Sequence, residues 1–266
     1  MKSRAVRLLV LLSLLLPLLV LSAYANSVSL GTAGSYSVLA GSAVTNTGSS
    51  VLSGNLGVSA GCAVSGFPPG IVHGTINQCN GAAAQAQLDL TTAYNAAKGL
   101  PATGTLTGVD LGGQHLTPGV YFFASSAQLT GTLVLEGTPG SQFVFQIGSS
   151  LTTASSSSVI FINSLTGKQS TDPNIFWQVG SSATLGTTTA FEGNILALSS
   201  ITLDTGATIG CGSALARNGA VTLDDNVIGG GCGGGGTTTV PEPGTLGLLG
   251  TGLALLAGVA RRKMQI

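Results

Sequence analysis

The chain has 266 residues, 41 of them glycine, and only 7% are Asp, Glu, Lys or Arg, against about one quarter in a typical domain. Between residues 26 and 240 the cations are Lys98, Lys168 and Arg217, facing Asp89, Asp110, Asp172, Asp204, Asp224, Asp225, Glu136 and Glu192; three minus eight leaves the body acidic by five charges. Nucleic-acid binding needs clustered Lys/Arg and is excluded, while the regular recurrence of Val, Ile, Leu and Phe supplies a core and excludes disorder.

Lys2, Arg4 and Arg7 precede an apolar run from Leu8 to Leu21, and Ala23-Tyr24-Ala25 offers a small-x-small cleavage pattern. Residues 1–25 therefore read as a secretory signal peptide, and residues 26–230 as one exported domain. In an oxidising compartment disulfides persist. Cys62 and Cys79 flank a Gly/Pro-rich loop, and Cys211 and Cys232 flank the last repeat, so bridges 62–79 and 211–232 are expected. Four cysteines allow three connectivities. Zinc is the competing use, but there is no Cys-x-x-Cys pair, and His73 is the only nearby nitrogen ligand.

Ala83, Ala86, Leu90, Ala93 and Ala97 are spaced three and four apart and predict a helix over 82–98. Asn80 caps its start; Gly99 and Pro101 stop it. Its small residues suit close packing along a neighbouring face.

Beyond the helix the chain repeats itself. Phe122 to Leu129, Phe145 to Thr152, Trp177 to Leu185, Leu196 to Leu203 and Leu215 to Leu223 each read as an apolar strand, a tight polar corner and an alternating strand. The Ser-Ser pairs at 125, 149, 181 and 199 lie 24, 32 and 18 residues apart. Such units cannot bury an apolar face alone and must stack on neighbours, which predicts a β-solenoid. Period-two alternation sends Ile201 and Leu203 inward and Thr202 outward, with Thr184 and Thr222 likewise outward. Thr152, Thr130 and Thr132 are read as continuing that column. Thr205 and Thr208, after the next corner, form a rival column, and the sequence leaves open which side is flat. Phe122, Phe123, Phe143, Phe145 and Trp177 read as core.

A Gly/Thr-rich linker, 231–239, leads to Pro241-Glu242-Pro243, an apolar stretch over 244–260 and Arg261-Arg262-Lys263. Seventeen apolar residues are just long enough to span a bilayer as a helix, with the basic cluster on the cytoplasmic side. Residues 240–266 resemble the PEP-CTERM sorting signal of Gram-negative bacteria. The resemblance implies processing by an exosortase and delivery to the cell surface or extracellular matrix, with membrane contact only through this signal.

The body, too, has a familiar order of fragments. Ser37-Val38-Leu39-Ala40-Gly41, Val44-Thr45-Asn46-Thr47-Gly48, Gly54-Asn55-Leu56-Gly57-Val58 and Gly66-Phe67-Pro68-Pro69-Gly70 precede the Ala-rich helix. Leu116-Thr117-Pro118-Gly119-Val120-Tyr121 and Ala216-Arg217-Asn218-Gly219-Ala220-Val221-Thr222-Leu223-Asp224 follow it. Together they resemble the microbial ice-binding domain over nearly all of residues 28–228. The resemblance implies an all-β-dominated fold: a discontinuous right-handed β-solenoid with one long α-helix packed alongside. It also implies adsorption to ice through one flat Thr/Ser/Ala face, often bearing Thr-Ala/Gly-x-Thr/Asn. Thr205-Gly206-Ala207-Thr208 fits that pattern, Thr153-Ala154-Ser155-Ser156 loosely, and Thr187-Thr188-Thr189-Ala190 not at all; no unbroken Thr-x-Thr run appears in the sequence. The candidate ice-contacting residues are thus Thr130, Thr132, Thr152, Thr184, Thr202 and Thr222, with Thr205 and Thr208 as the rival pair. Because Thr favours any exposed strand, each column also reads as a plain solvated face.

Catalysis finds little support. Asp224-Asp225 is the only acidic pair, read as part of the terminal corner, and His73 and His115 sit in Gly-rich segments without an evident partner. Neither a Gly-x-Ser-x-Gly elbow nor a phosphate loop occurs. No enzyme, metal or cofactor is expected, and the expected form is a monomer. The alternative to ice binding is an adhesin or matrix protein that holds extracellular polysaccharide.

Overall fold

A computed structural model describes residues 27–229 apart from Pro173. The signal peptide, the linker, the Pro-Glu-Pro motif and the apolar stretch over 244–260 lie outside the described residues. Among the described residues no helix is long and apolar enough to cross a membrane.

After a 3-10 turn at Gly31–Ser35, two N-terminal coils form: β1 (Tyr36–Ala40), β2 (Ala43–Thr47) and β3 (Val51–Leu52), then β4 (Asn55–Val58), β5 (Ala63–Ser65) and β6 (Ile71–Val72). Strand β7 (Ile76–Gln78) starts a third turn that the helix α1 (Gly81–Gly99) interrupts. The chain resumes at β8 (Gly104–Thr105) and β9 (His115–Leu116). Two longer coils follow, β10 (Gly119–Phe123), β11 (Ala127–Leu129) and β12 (Thr132–Gly137), then β13 (Phe143–Ile147), β14 (Leu151–Thr153) and β15 (Ser158–Asn163) with its hairpin strand β16 (Lys168–Ser170). The last three coils are β17 (Ile175–Val179), β18 (Ala183–Leu185), β19 (Ala190–Phe191); β20 (Asn194–Ala197), β21 (Ile201–Leu203), β22 (Thr208–Ile209); and β23 (Ala214–Ala216), β24 (Val221–Asp224), β25 (Val227–Ile228).

The three strands of each coil fall on three parallel sheets. Face A runs β7-β4-β1-β23-β20-β17-β13-β10-β8, face B β11-β14-β18-β21-β24-β2-β5, and face C β6-β3-β25-β22-β19-β15-β12-β9. The order is discontinuous: the last coil in sequence pairs with the first on every face, through Leu39↔Leu215, Thr45↔Thr222 and Val51↔Val227. Helix α1 makes this possible by carrying the chain back along face A. Its 19 residues span about 28 Å. It touches face A from β7 to β13, six spacings at about 4.8 Å, or about 29 Å. Asn80 caps the helix by accepting from the Ala83 amide at 2.9 Å. The expected small-residue stripe, Ala83, Ala86, Leu90, Ala93 and Ala97, is buried together with Tyr94. It packs on Leu39, Val144, Phe176, Leu196 and Leu215, which point outward from face A.

Inside, identical positions stack coil on coil. Tyr121, Phe145 and Trp177 form a ring column, Phe145 and Trp177 being 3.9 Å apart and within 8° of parallel, and Phe191 leans on Trp177. The indole N–H, buried away from water, donates to the Glu192 carbonyl at 3.0 Å, as a buried indole must. Phe123, Phe143, Phe145 and Trp177 are buried as expected, but Phe122 is not: it is 39% exposed, because the alternation that turns Tyr121 and Phe123 inward turns it out of face A.

The corner between faces B and C needs a left-handed residue in coil after coil. Gly131, Ser156, Thr188, Gly206, Asp225 and Gly48 all have φ between +51° and +89°. Next to them runs a buried polar seam of Ser157, Thr189, Asn226 and Ser50. Thr189 bonds Thr153 at 2.8 Å, and the Asn226 amide donates to the carbonyls of Asp204 and Ala207. Each hydroxyl or amide satisfies a backbone group that the corner would otherwise orphan.

Cys62 and Cys79 are joined as expected and lie at the β5–β7 end of the stack. Cys211 is buried and disulfide-bonded; its expected partner, Cys232, lies outside the described residues. Among the described residues no group of three or more His, Cys, Asp and Glu is placed to hold a metal.

Candidate functional site

Each face is claimed differently. Face A is covered by α1 along most of its length. Face C is interrupted: β16 pairs antiparallel to β15, and His115 Nε2 lies 3.0 Å from a Glu136 carboxylate oxygen. That partner for His115 was not evident in the sequence, where the two residues lie far apart. The outward column of face C is Thr132, Ser158, Ala190, Thr208, Val227, Val51 and Ile71, which turns aliphatic at one end.

Face B is uncovered and in unbroken register. Its central outward column reads Gln128, Thr152, Thr184, Thr202, Thr222, Thr45, Ser65. Five consecutive threonines, one per coil, thus build a ladder that the linear sequence does not display. The flanking pairs Leu151 and Thr153, Ala183 and Leu185, Ile201 and Leu203, and Val221 and Leu223 point inward and are buried, so the hydroxyl and methyl of the Thr between them have only the outer face left. Two residues back along each strand runs a second column, Ser126, Ser150, Ser182, Ser200, Ala220, Ala43 and Ala63, all at the corner or first strand position. Neighbouring hydroxyls meet across coils, Ser126 and Ser150 at 2.9 Å and Thr45 donating to Thr222 at 3.4 Å. The mesh is about 4.8 Å between coils and about 7 Å between columns; no charged residue stands in it from Gln128 to Ser65, and Asp110, bridged to Gln128, closes the column at that end.

The charges keep to the edge. Asp224, at the B–C corner, accepts from the hydroxyls of Thr205 and Thr47, the latter at 2.8 Å. The Thr205 bond, then the Thr47 bond, hold its carboxyl below the ordinary aspartate value. Asp225 accepts from the Ser49 amide. The acidic pair is therefore the clasp between the last coil and the first, as its reading as terminal corner anticipated.

The structure brings four of the sequence-selected threonines into one column: Thr152, Thr184, Thr202 and Thr222. It separates the others. Thr130 is at the B–C corner, and Gln128 takes the column position one coil out. Thr132 is past the left-handed Gly131 and belongs to β12 on face C, where it shares a column with Thr208. Thr205 sits at the corner before the left-handed Gly206. The two-residue turn at 130–131 redirects the chain sooner than the four-residue corners at 154–157, 186–189 and 204–207, and Gly131 was the cue. The sequence reading missed Thr45 and Ser65. The alternation in Val44-Thr45-Asn46 marks Thr45 as outward, but 177 residues separate it from its neighbour Thr222.

Residues 38–229 match the model of the family described as ice-binding-like, and residues 239–263 match the PEP-CTERM protein-sorting motif. A protein described as an ice-binding protein from Nostoc sp. (strain HG1) is 52% identical over 249 residues, covering 91% of this chain and 90% of that one. Among solved structures, an ice binding protein from an Antarctic biological consortium superposes with a TM-score of 0.71 at 45% identity, covering 76% of this chain and 90% of that one. The ice-binding protein of the Antarctic ascomycete Antarctomyces psychrotrophicus gives 0.71 at 40% identity, covering 76% and 97%. With the solenoid, its helix and the discontinuous coil order all in place, the chain belongs to the ice-binding-like family.

Proposed function

We propose that the protein is exported and adsorbs to ice through face B. The observation that carries this reading is the uncharged two-column mesh, in which five stacked threonines run beside a Ser/Ala column. Ice offers no charge and no pocket, so recognition rests on area, flatness and periodicity. Methyl groups on a regular grid, with hydroxyls between them, hold surface water in an order that merges with the lattice; a charged side chain in the mesh would organise water around itself instead. The low charge of the chain serves this purpose, and the activity needs no catalytic group, metal or cofactor.

The name of the 52%-identical relative and the titles of the solved neighbours support the ligand. The sorting-motif match supports export, and with it exosortase processing and delivery to the surface or matrix of a Gram-negative cell. The protein acts as a monomer, one flat face being enough. Ice-affinity partition tests the reading: a growing ice hemisphere in dilute protein should incorporate it, and crystals held below the melting point should become faceted. Exclusion of the protein from ice, with crystals growing as in buffer, would remove ice as the ligand and leave the matrix role.

A further inference from the structure

A groove of about 250 Å³ lies between the C-terminal half of α1 and the outward side of face A, on a different face from the threonine mesh. Tyr94, Lys98, Phe122, Gln146, Gln178 and Leu198 line it. Its two glutamines are register partners on adjacent strands, yet only one has work within the fold. The Gln146 amide donates to the carbonyls of Ala97, Lys98 and Leu100 and ties down the end of α1. Gln178 is 3% exposed, and its side chain has no hydrogen-bond partner among the described residues. Its amide is not among the enclosed polar atoms that lack a partner, so it opens into the groove, where a ligand can reach it. Phe122 is equally out of place: a large ring, 39% exposed, on the far side of Gln146 from that amide in the same groove.

We propose that this groove binds a single carboxylate-bearing sugar unit, with the Gln178 amide on its hydroxyls, the Phe122 ring against its C–H face and the Lys98 ammonium on its carboxylate. An amide both donates and accepts, as hydroxyl groups do, whereas a bare inorganic anion asks only for donors. An exposed aromatic beside polar groups suits a ring that is apolar on its face and polar at its edge. The charge is just as specific. Lys98 and Arg217 are two of the three cations between residues 26 and 240. Lys98 makes no ion pair among the described residues, Arg217 lies 4.6 Å over the Tyr94 ring, and no carboxylate lines the groove. The volume falls below the roughly 300 Å³ at which pockets for larger ligands begin, which limits the occupant to one unit of a chain running past. Acidic polysaccharide is what an exported, surface-delivered protein meets.

The test is calorimetric titration of the full chain with trigalacturonate, with uncharged cellotriose as comparator. Trigalacturonate should bind and cellotriose should bind at least about tenfold more weakly, the loss of one charge-assisted contact. Lys98→Gln should erase that preference, Phe122→Ala should weaken both sugars, and Gln178→Leu should abolish binding while the melting temperature holds or rises. All three variants should still partition into ice, so failure of this site and failure of face B are separately visible. No heat with trigalacturonate at millimolar concentration, equal affinity for cellotriose, or unchanged binding in the Lys98 and Phe122 variants would each overturn the proposal.

Discussion

Replacing Thr202 by tyrosine puts the ice-adsorption reading under the hardest strain. Thr202 stands in the third of five threonine positions, between Thr184 and Thr222. A ring rising there holds the surface of ice away from Thr202 and from both neighbours, which are about 4.8 Å to either side. Three methyl contacts at about 0.8 kcal/mol each come to about 2.4 kcal/mol, or about 50-fold in an adsorption constant. The fold should hardly notice. Position 202 is an outward strand site, tyrosine is as good a strand former as threonine, and surface changes of this kind fall within about 0.5 kcal/mol. The assay is thermal hysteresis with ice-affinity partition on Thr202→Tyr, and Thr208→Tyr as the matched change on face C. Hysteresis should collapse in the first and survive in the second, at equal melting temperatures. The opposite pattern would refute the choice of face B, and loss in neither would refute adsorption through a threonine column.

Burial of the Glu192 side chain, only partly offset by the hydrogen bonds it accepts from the Asp172 and Cys211 amides, pushes its carboxyl up to about 7. The contribution of Glu192 to stability should therefore be fully present below about pH 4.5 and fall by up to about 3 kcal/mol as pH rises from there through 7; thermal melts of Glu192→Gln should lose that fall, and an unchanged slope would exclude Glu192 as its source. Thr188, β-branched at φ +56°, carries left-handed strain of about 1–2 kcal/mol, part of which glycine returns in unfolded-state entropy. Denaturant unfolding of Thr188→Gly should thus give a gain of about 0.5–1 kcal/mol, and a loss would show that the Ser156–Thr188 hydroxyl bond outweighs the strain. Removing the Cys62–Cys79 bridge, whose ends are 17 residues apart, should cost about 3 kcal/mol and expose the segment around Pro68-Pro69 to proteolysis first.

The sequence was most legible where chemistry and period coincide. The stripe on α1 and its Asn80 cap could be read directly, because both are local and spaced at helical intervals. So could the outward direction of Thr184, Thr202 and Thr222, because the aliphatic on each side has nowhere to go but the core. Where a position depends on the corner before it, legibility fails. Thr130 and Thr132 looked continuous with the column, but one left-handed Gly131 turns the chain onto another face. Face C shows the same limit: His115 and Glu136 meet only because two coils stack. Thr45 illustrates the largest gap. Its column is completed by a coil from the far end of the chain, and no local pattern announces that β24 stacks on β2.

The regularity of face B is imposed from within. A mesh that fits a crystal needs every coil at the same height and in the same rotation, and outward threonines cannot enforce that, since their contacts with each other are few and wet. The inward side can. Phe145 on Trp177 fixes adjacent coils by ring stacking, and a slip of one residue would turn every Thr of the column inward and every Leu out. The seam of Thr153, Thr189 and Asn226 adds a directional constraint, because each hydrogen bond closes only at one register. Between the last coil and the first, where no chain connection exists, the clasp of Asp224 and Asp225 on Thr47 and Ser49 does the same. These clasp residues are spent on hydrogen bonds at the edge of the mesh, and Asp110, in register with Gln128 at its end, accepts from the amides of Gly112 and Thr130. Solvent therefore meets, on this one face, a surface whose order derives from the core and whose charge has been moved to its margins.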